Sequence, residues 1–254
     1  MDLELKGRRA VVTGAGRGIG LSIARALAAE GVEVVGGART ISAELAEVAA
    51  GTLEVDLTTP AGPAALIEHA LDQLGGVDIL VNNVGGRTVS AAGFLDLDEQ
   101  GWRQGFDLNF FSAVRAIRAA LPSLIENTGA IVNIGSVNSK LAAPRLVEYC
   151  AAKAALASLT KALSEEFAPR GVRVSSVSPG AVLTDLWTSP ARAAKMGVSV
   201  DEVVAQVPKW TNMSTGKIVR PEEVATVVLL LASGRIPSAV GADWVLDGGT
   251  LKTV

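Results

Sequence analysis

The sequence predicts an α/β chain built on a doubly wound, seven-stranded parallel sheet. Three observations lead there. Seven short runs rich in Val, Ile and Leu recur along the 254 residues, with helical stretches between them. Continuous apolar runs of this kind suit parallel strands covered on both faces, and regular alternation of strand and helix builds such a sheet. No linker, repeat or low-complexity segment interrupts the pattern, so one domain is expected over residues 1–254. With 49% of residues apolar and only 19% charged, the chain has the means for a large core.

The first run, Arg9–Thr13, leads into Thr13-Gly14-Ala15-Gly16-Arg17-Gly18-Ile19-Gly20. A helical stretch follows, Leu21 to Glu30, with Ile23, Ala24 and Leu27 on one side. Strand, glycine-rich turn and helix make the Rossmann-type layout of a dinucleotide phosphate site. The glycines let the backbone approach a pyrophosphate, and the helix N-terminus offers free N–H groups. A glycine turn with no ligand is the alternative. The second run, Glu33–Ala38, ends Gly36-Gly37-Ala38-Arg39-Thr40. A carboxylate at that end would hold a ribose 2′-hydroxyl, whereas an arginine accommodates a 2′-phosphate. No acid is there and Arg39 is, while Arg17 adds a second positive group. A guanidinium fork suits a phosphate, so NADP(H) is expected over NAD(H). Two solvated surface arginines would be the plainer reading.

The third run, Thr52–Val55, precedes Asp56 and Leu57, and Asp56 has the character of a turn-forming aspartate before Leu57-Thr58-Thr59-Pro60. The fourth, Val77–Asn82, runs into Asn82-Asn83-Val84-Gly85, with Asp78 read as a structural residue at its start. The fifth is Ala130–Ser136, and the sixth, Val172–Ser178, precedes Pro179-Gly180. The seventh is Asp243–Leu246. The one irregular region, about 185–220, carries Trp187, Met196, Trp210 and Met213 and is punctuated by Pro190 and Pro208. A loop or helical lid beyond the strand ends is where open α/β sheets take substrate. The single tyrosine, Tyr149, stands four residues before Lys153. On a helix these share a face one turn apart. A neighbouring cation lowers the pKa of a phenol, bringing it from about 10 toward the range of acid–base work.

Together these motifs resemble the short-chain dehydrogenase/reductase family, in register from about Leu5 to Gly249. The glycine turn has the form T-G-x-x-x-G-x-G. Asn82-Asn83-Val84-Gly85 stands where the family has N-N-A-G, with Val84 in place of alanine. Asn109 lies in the next helix, Ser136 precedes Tyr149 by thirteen residues, Thr184 follows Gly180 by four, and Val245 to Gly249 is similar to the terminal strand and turn. The resemblance implies a catalytic group of Asn109, Ser136, Tyr149 and Lys153. Tyr149 would be the acid in reduction and the base in oxidation. Lys153 would lower its pKa and hold the nicotinamide ribose, Ser136 would hold the carbonyl oxygen, and Asn109 would support a water between Lys153 and solvent. It implies a cofactor site of Gly14, Gly16, Arg17, Gly18, Ile19, Gly20, Ala38, Arg39, Asp56, Leu57, Asn83, Val84, Gly85, Pro179, Gly180, Val182 and Thr184, with Tyr149 and Lys153. Asp56 would accept from the adenine amino group. It also implies a homotetramer, or a homodimer. The helices would pair through Phe110, Phe111, Ala113, Val114 and Ile117 and through Ala154, Leu156, Ala157 and Leu159, and the final segment through Trp244.

The reaction expected is hydride transfer between the nicotinamide and a small ketone or secondary alcohol. One alternative is a 3-oxoacyl-carrier-protein reductase, which wants a basic surface for an acidic partner; Ser123 to Gly129 offers no basic residue, although Arg170 remains. Another is a non-catalytic dinucleotide-binding redox sensor. Nucleic acid is not expected at a net charge of −3. A metal site is not expected from one histidine, His69, and one cysteine, Cys150. A single cysteine suits the cytoplasm, as does an acidic start unlike a secretory leader. The apolar run Val224–Ala232 is too short to cross a membrane. Arg87 reads as an exposed loop arginine, with an anionic substrate as its alternative.

Overall fold

The computed structural model of the chain describes residues 2–87 and 93–252. Strand β1 (Arg9–Thr13) runs through the glycine turn into α1 (Gly18–Ala29), followed by β2 (Glu33–Ala38), α2 (Ala43–Val48), β3 (Gly51–Glu54), α3 (Gly62–Leu74) and β4 (Ile79–Asn82). Helix α4 (Glu99–Phe106) passes through a π-helical turn, Asp107–Phe111, into α5 (Ser112–Glu126). Then come β5 (Ala130–Ile134), α6 (Val147–Phe167) and β6 (Arg173–Pro179). Three short helices follow: α7 (Asp185–Thr188), α8 (Pro190–Met196) and α9 (Val200–Trp210). Helix α10 (Pro221–Ala232) and β7 (Asp243–Leu246) complete the chain.

The seven strands form one sheet in the order β3-β2-β1-β4-β5-β6-β7, with every pairing parallel. Val11 lies between Val35 and Leu80 in adjacent strands, so β-branched and Leu side chains stack across the middle of the sheet. Helices cover both faces. On one, Ile23, Ala24 and Leu27 of α1 meet Val224, Val228 and Leu231 of α10 over Val12, Val81 and Val177. On the other, Leu66, Ile67 and Ala70 of α3 join Ala116, Ala120 and Leu124 of α5 over Val35, Leu80 and Ile131. Strand order reverses between β1 and β4, and a crevice opens at such a switch point beyond the carboxyl ends of the strands.

Three strands match the expected bounds: Arg9–Thr13, Glu33–Ala38 and Asp243–Leu246. Elsewhere the ends move. The third strand is Gly51–Glu54, the fourth starts at Ile79, and the sixth is Arg173–Pro179. The fifth ends at Ile134, because Ser136 leaves the sheet to cap the 3₁₀ turn Val137–Ser139. Residues 185–220 are largely helical, with each of Ser189 and Ser199 capping a helix start through its side chain. Ser199 and Glu202 form a full capping box.

The helical period corrects part of the expected subunit contact. Ala113, Ile117 and Leu156 are buried in the core, so they are not available to a second copy. Phe111, 40% exposed, faces outward instead. By length and composition the continuous helix Glu99–Glu126 could cross a membrane, but here α5 packs on α3 and α4 packs on α6.

Candidate active site

The site begins with the glycine turn. A Cβ on Gly20 would stand 2.2 Å from the carbonyl oxygen of Gly14, and one on Gly16 would stand 2.7 Å from that of Thr40. Gly14 and Gly18 hold φ of 66° and 56°, a region that disfavours side chains. The turn is thus closed on itself, and α1 starts at Arg17 with no side-chain cap. Its first N–H groups are free to receive an anion. A dinucleotide's pyrophosphate fits this cradle. Thr13 stiffens it from below: its hydroxyl accepts from the N–H of Asn83 (2.9 Å) and of Val84 (3.1 Å). The Asn83 amide donates to the carbonyls of Thr13 and Gly14, each at 3.0 Å.

The arms of the cradle are placed as follows. Ala38 closes β2 and is buried; Arg39 and Arg17 are exposed. Arg17 forms a 2.8 Å ion pair with Asp185 at the start of α7, both side chains being more than half exposed. Asp56 behaves as a turn former: its Oδ1 accepts from the N–H (2.9 Å) and the hydroxyl (2.7 Å) of Thr58. These bonds, with the charge of Arg39 behind them, hold its carboxyl below the usual range. Leu57 beside it is buried. Across the crevice, Gly180 leaves β6 against Asp247, with no room for a Cβ (2.9 Å). Val182 bridges to Val219, and Thr184 sits over the turn, its methyl 3.3 Å from where a Cβ on Gly18 would be.

Four side chains converge at the carboxyl ends of β4 and β5. Asn109 lies buried in the π-helical turn, a bulge often found at functional sites. Its Oδ1 accepts from the N–H of Gly86 (2.9 Å), and its Nδ2 donates to the carbonyl of Gly86 (2.9 Å) and to that of Gly105 (3.0 Å). Lys153 of α6 is buried and donates to the carbonyl of Ile134 at 2.7 Å. A Cβ on Gly85 would lie 3.0 Å from Asn109 Oδ1 and 3.1 Å from Lys153 Nζ, so Gly85 separates the two. Lys153 Nζ is 6.0 Å from the centre of the Tyr149 ring. Ser136 accepts from the N–H of Asn138 (3.1 Å) and favours the ionised form of the Tyr149 phenol. A buried chain underpins the group: Asn82 donates to Asn133, and Asn133 to the hydroxyl of Thr160, each at 2.9 Å. Sequence reading missed Asn133 and Thr160. The only signal available was an asparagine in an otherwise apolar strand.

Electrostatics correct one expectation. Burial pushes the Tyr149 phenol above its ordinary value of 10.0, against opposing effects from Ser136 and then Arg87. Lys153 is not the cation that lowers it. The lysine is itself buried, and loss of hydration brings it from 10.5 to about 8. Asp78 plays the structural part expected of it, accepting from Arg9 Nε at 2.8 Å and Nη2 at 3.1 Å. His69 is partly buried in α3 with no partner for Nε2. Among the described residues no His, Cys, Asp and Glu cluster could hold a metal.

Comparison with known proteins agrees with this layout. A family model described as short chain dehydrogenase matches residues 8–195. D-beta-hydroxybutyrate dehydrogenase of Rhizobium meliloti is 35% identical over 95% of this chain and 98% of its own. The 3-oxoacyl-[acyl-carrier-protein] reductase of Vibrio cholerae is 33% identical over 97% and 98%. The solved structure of L-sorbose reductase from Gluconobacter frateurii, complexed with NADPH and L-sorbose, superposes with a TM-score of 0.91 at 32% identity, covering all of both chains.

Proposed function

The chain belongs to the short chain dehydrogenase family, and from that premise we propose that it is an NADP(H)-dependent reductase of a small ketone, with Tyr149 as the proton donor. One observation carries the reading: Asn109 and Lys153 lie against Gly85, and the Tyr149 ring stands 6.0 Å from Lys153 Nζ, beside a glycine cradle. The nicotinamide, when bound, supplies the hydride. The chain supplies everything else. Gly14, Gly16, Gly18, Ile19 and Gly20 seat the pyrophosphate on the start of α1. Asn83, Val84 and Gly85 line the nicotinamide side, and Pro179, Gly180, Val182 and Thr184 close the opposite wall.

Ser136 orients the carbonyl oxygen and donates to it as charge develops there. Tyr149 then gives that oxygen its proton. A phenol held above its ordinary pKa is fully protonated at neutral pH, which suits an acid in reduction better than a base in oxidation. Lys153, hydrogen-bonded to the Ile134 carbonyl, would hold the ribose, return a proton to the Tyr149 phenolate and take its replacement from solvent by way of water near Asn109. Helices α7 to α9 cover the substrate and exclude water.

The absence of an acid after β2, with Arg39 and Arg17 exposed beside the turn, favours a 2′-phosphate. Arg17 must leave Asp185 to reach it, and an exposed ion pair is weak enough to allow that. The relatives act on hydroxy acids and on carrier-bound oxoacyl groups, and the solved neighbour holds a sugar with NADPH; a hydroxyl–carbonyl exchange is common to all three. The test is oxidation of NADPH and of NADH with a panel of ketones. Turnover with NADPH in clear excess over NADH supports the proposal. No turnover with either cofactor would favour a non-catalytic dinucleotide-binding protein.

A further inference from the structure

Arg87 emerges from a backbone pinned against the reacting group. The carboxamide of Asn109 grips both the N–H and the carbonyl of Gly86, each at 2.9 Å. The place of a Gly85 Cβ is 3.1 Å from Lys153 Nζ. A chain advances at most about 3.6 Å per residue, so Arg87 starts within roughly 7 Å of Gly85 and its long stem can lie over the mouth of the site. Among the described residues it has no ion-pair partner. Three other arginines are engaged in ion pairs: Arg17 with Asp185, Arg103 with Glu99 and Arg115 with Asp107. The positive charge of Arg87 nevertheless acts on the Tyr149 phenol. An exposed arginine with no ion-pair partner among the described residues thus starts two residues from the glycine that lies against Asn109 and Lys153.

We propose that Arg87 binds an anionic group on the substrate, so that the preferred substrate is an oxo acid or oxo phosphate and not a neutral ketone. The proposal rests on the reductase reading above. A guanidinium fork accepts a carboxylate or a phosphate through paired hydrogen bonds. The anionic group takes no part in the bond changes. It is held alike before and after reduction, so its loss should raise KM more than it lowers kcat.

Two readouts test it. The first is kcat and KM of wild type, Arg87→Gln and Arg87→Lys for charge-matched pairs: 3-oxobutanoate against its methyl ester, and dihydroxyacetone phosphate against dihydroxyacetone. Wild type should prefer the anionic member of one pair by about tenfold or more in kcat/KM, and the pair concerned tells carboxylate from phosphate. Arg87→Gln should abolish that preference through KM, cost the anionic member far more than the neutral one, and be partly rescued by Arg87→Lys. The second readout needs no turnover. Tyr149 is the single tyrosine, so an ultraviolet titration reports it. Propanoate or inorganic phosphate should raise its pKa by neutralising Arg87, propanamide should not, and Arg87→Gln should remove the response. Equal losses for anionic and neutral members in Arg87→Gln, a wild-type preference for the neutral members, or a titration indifferent to both anions would overturn the proposal. If no carbonyl is turned over, the reductase reading fails, and the titration still decides whether Arg87 receives an anion.

Discussion

At the scale of single residues, the balance at Tyr149 is between hydration lost and charge gained. Removing a phenolate from water outweighs the help of Ser136 and Arg87. In the cofactor-free protein an ultraviolet difference titration should therefore find its pKa above 10.0; a midpoint below that value would mean that Lys153 dominates after all. Lys153 gives a second prediction. It titrates near 8 when folded and near 10.5 when unfolded. Between those values the unfolded chain binds more protons, so this group's contribution to stability rises with pH from about 8 to 10.5 and is unfavourable and constant below 8. Lys153→Met should therefore gain stability relative to wild type at pH 7, and the difference should shrink as pH rises toward 10.5. A melting-temperature difference that stays flat across that window would contradict the assignment. The Tyr149–Lys153 spacing was readable from the sequence, but the sign of the tyrosine shift was not. Sequence gives the distance along a helix, whereas desolvation depends on what the rest of the chain packs around the pair.

At the scale of elements, the glycine turn and the π-helical turn set the geometry. Gly20→Ala would force a methyl to 2.2 Å from the Gly14 carbonyl, which backbone must move to relieve. The expected result is loss of dinucleotide affinity, read by fluorescence titration with NADPH, together with a fall in melting temperature. Wild-type affinity in this variant would show that the turn is not the phosphate cradle. Cofactor choice belongs to the β2 end: NADPH should exceed NADH in kcat/KM by roughly tenfold, about 1.4 kcal/mol. Ala38→Asp should narrow that ratio by repelling a 2′-phosphate, and an unchanged ratio would count against the reading of Arg17 and Arg39. The seven strands were legible because a parallel sheet needs long apolar runs. Strand ends were less so: Ser136 leaves β5 early because its hydroxyl accepts from Asn138, a local bond that hydrophobicity does not report. The π turn at Asn109 was invisible for the same reason. Residues 185–220 read as irregular because their helices are short and interrupted by Pro190 and Pro208.

For the whole molecule, some apolar surface remains uncovered in the single chain. Phe111 is exposed beside the Phe106–Phe110 stack on the helix that runs from α4 to α5. Trp244 and Val245 are exposed on the edge strand β7. Edge strands and apolar patches are commonly covered by a second subunit. We expect a homotetramer with two-fold axes, or a dimer, formed through these two regions; a monomer by light scattering at micromolar concentration would contradict it. The measurement closest to the central claim is single-turnover reduction of an accepted ketone by NADPH in wild type and Tyr149→Phe, with NADPH affinity measured alongside. If Tyr149 delivers the proton, the variant should bind NADPH as wild type does and reduce the ketone slower by about 10²-fold or more. A variant that binds NADPH normally and turns over at the wild-type rate would show that the proton comes from elsewhere.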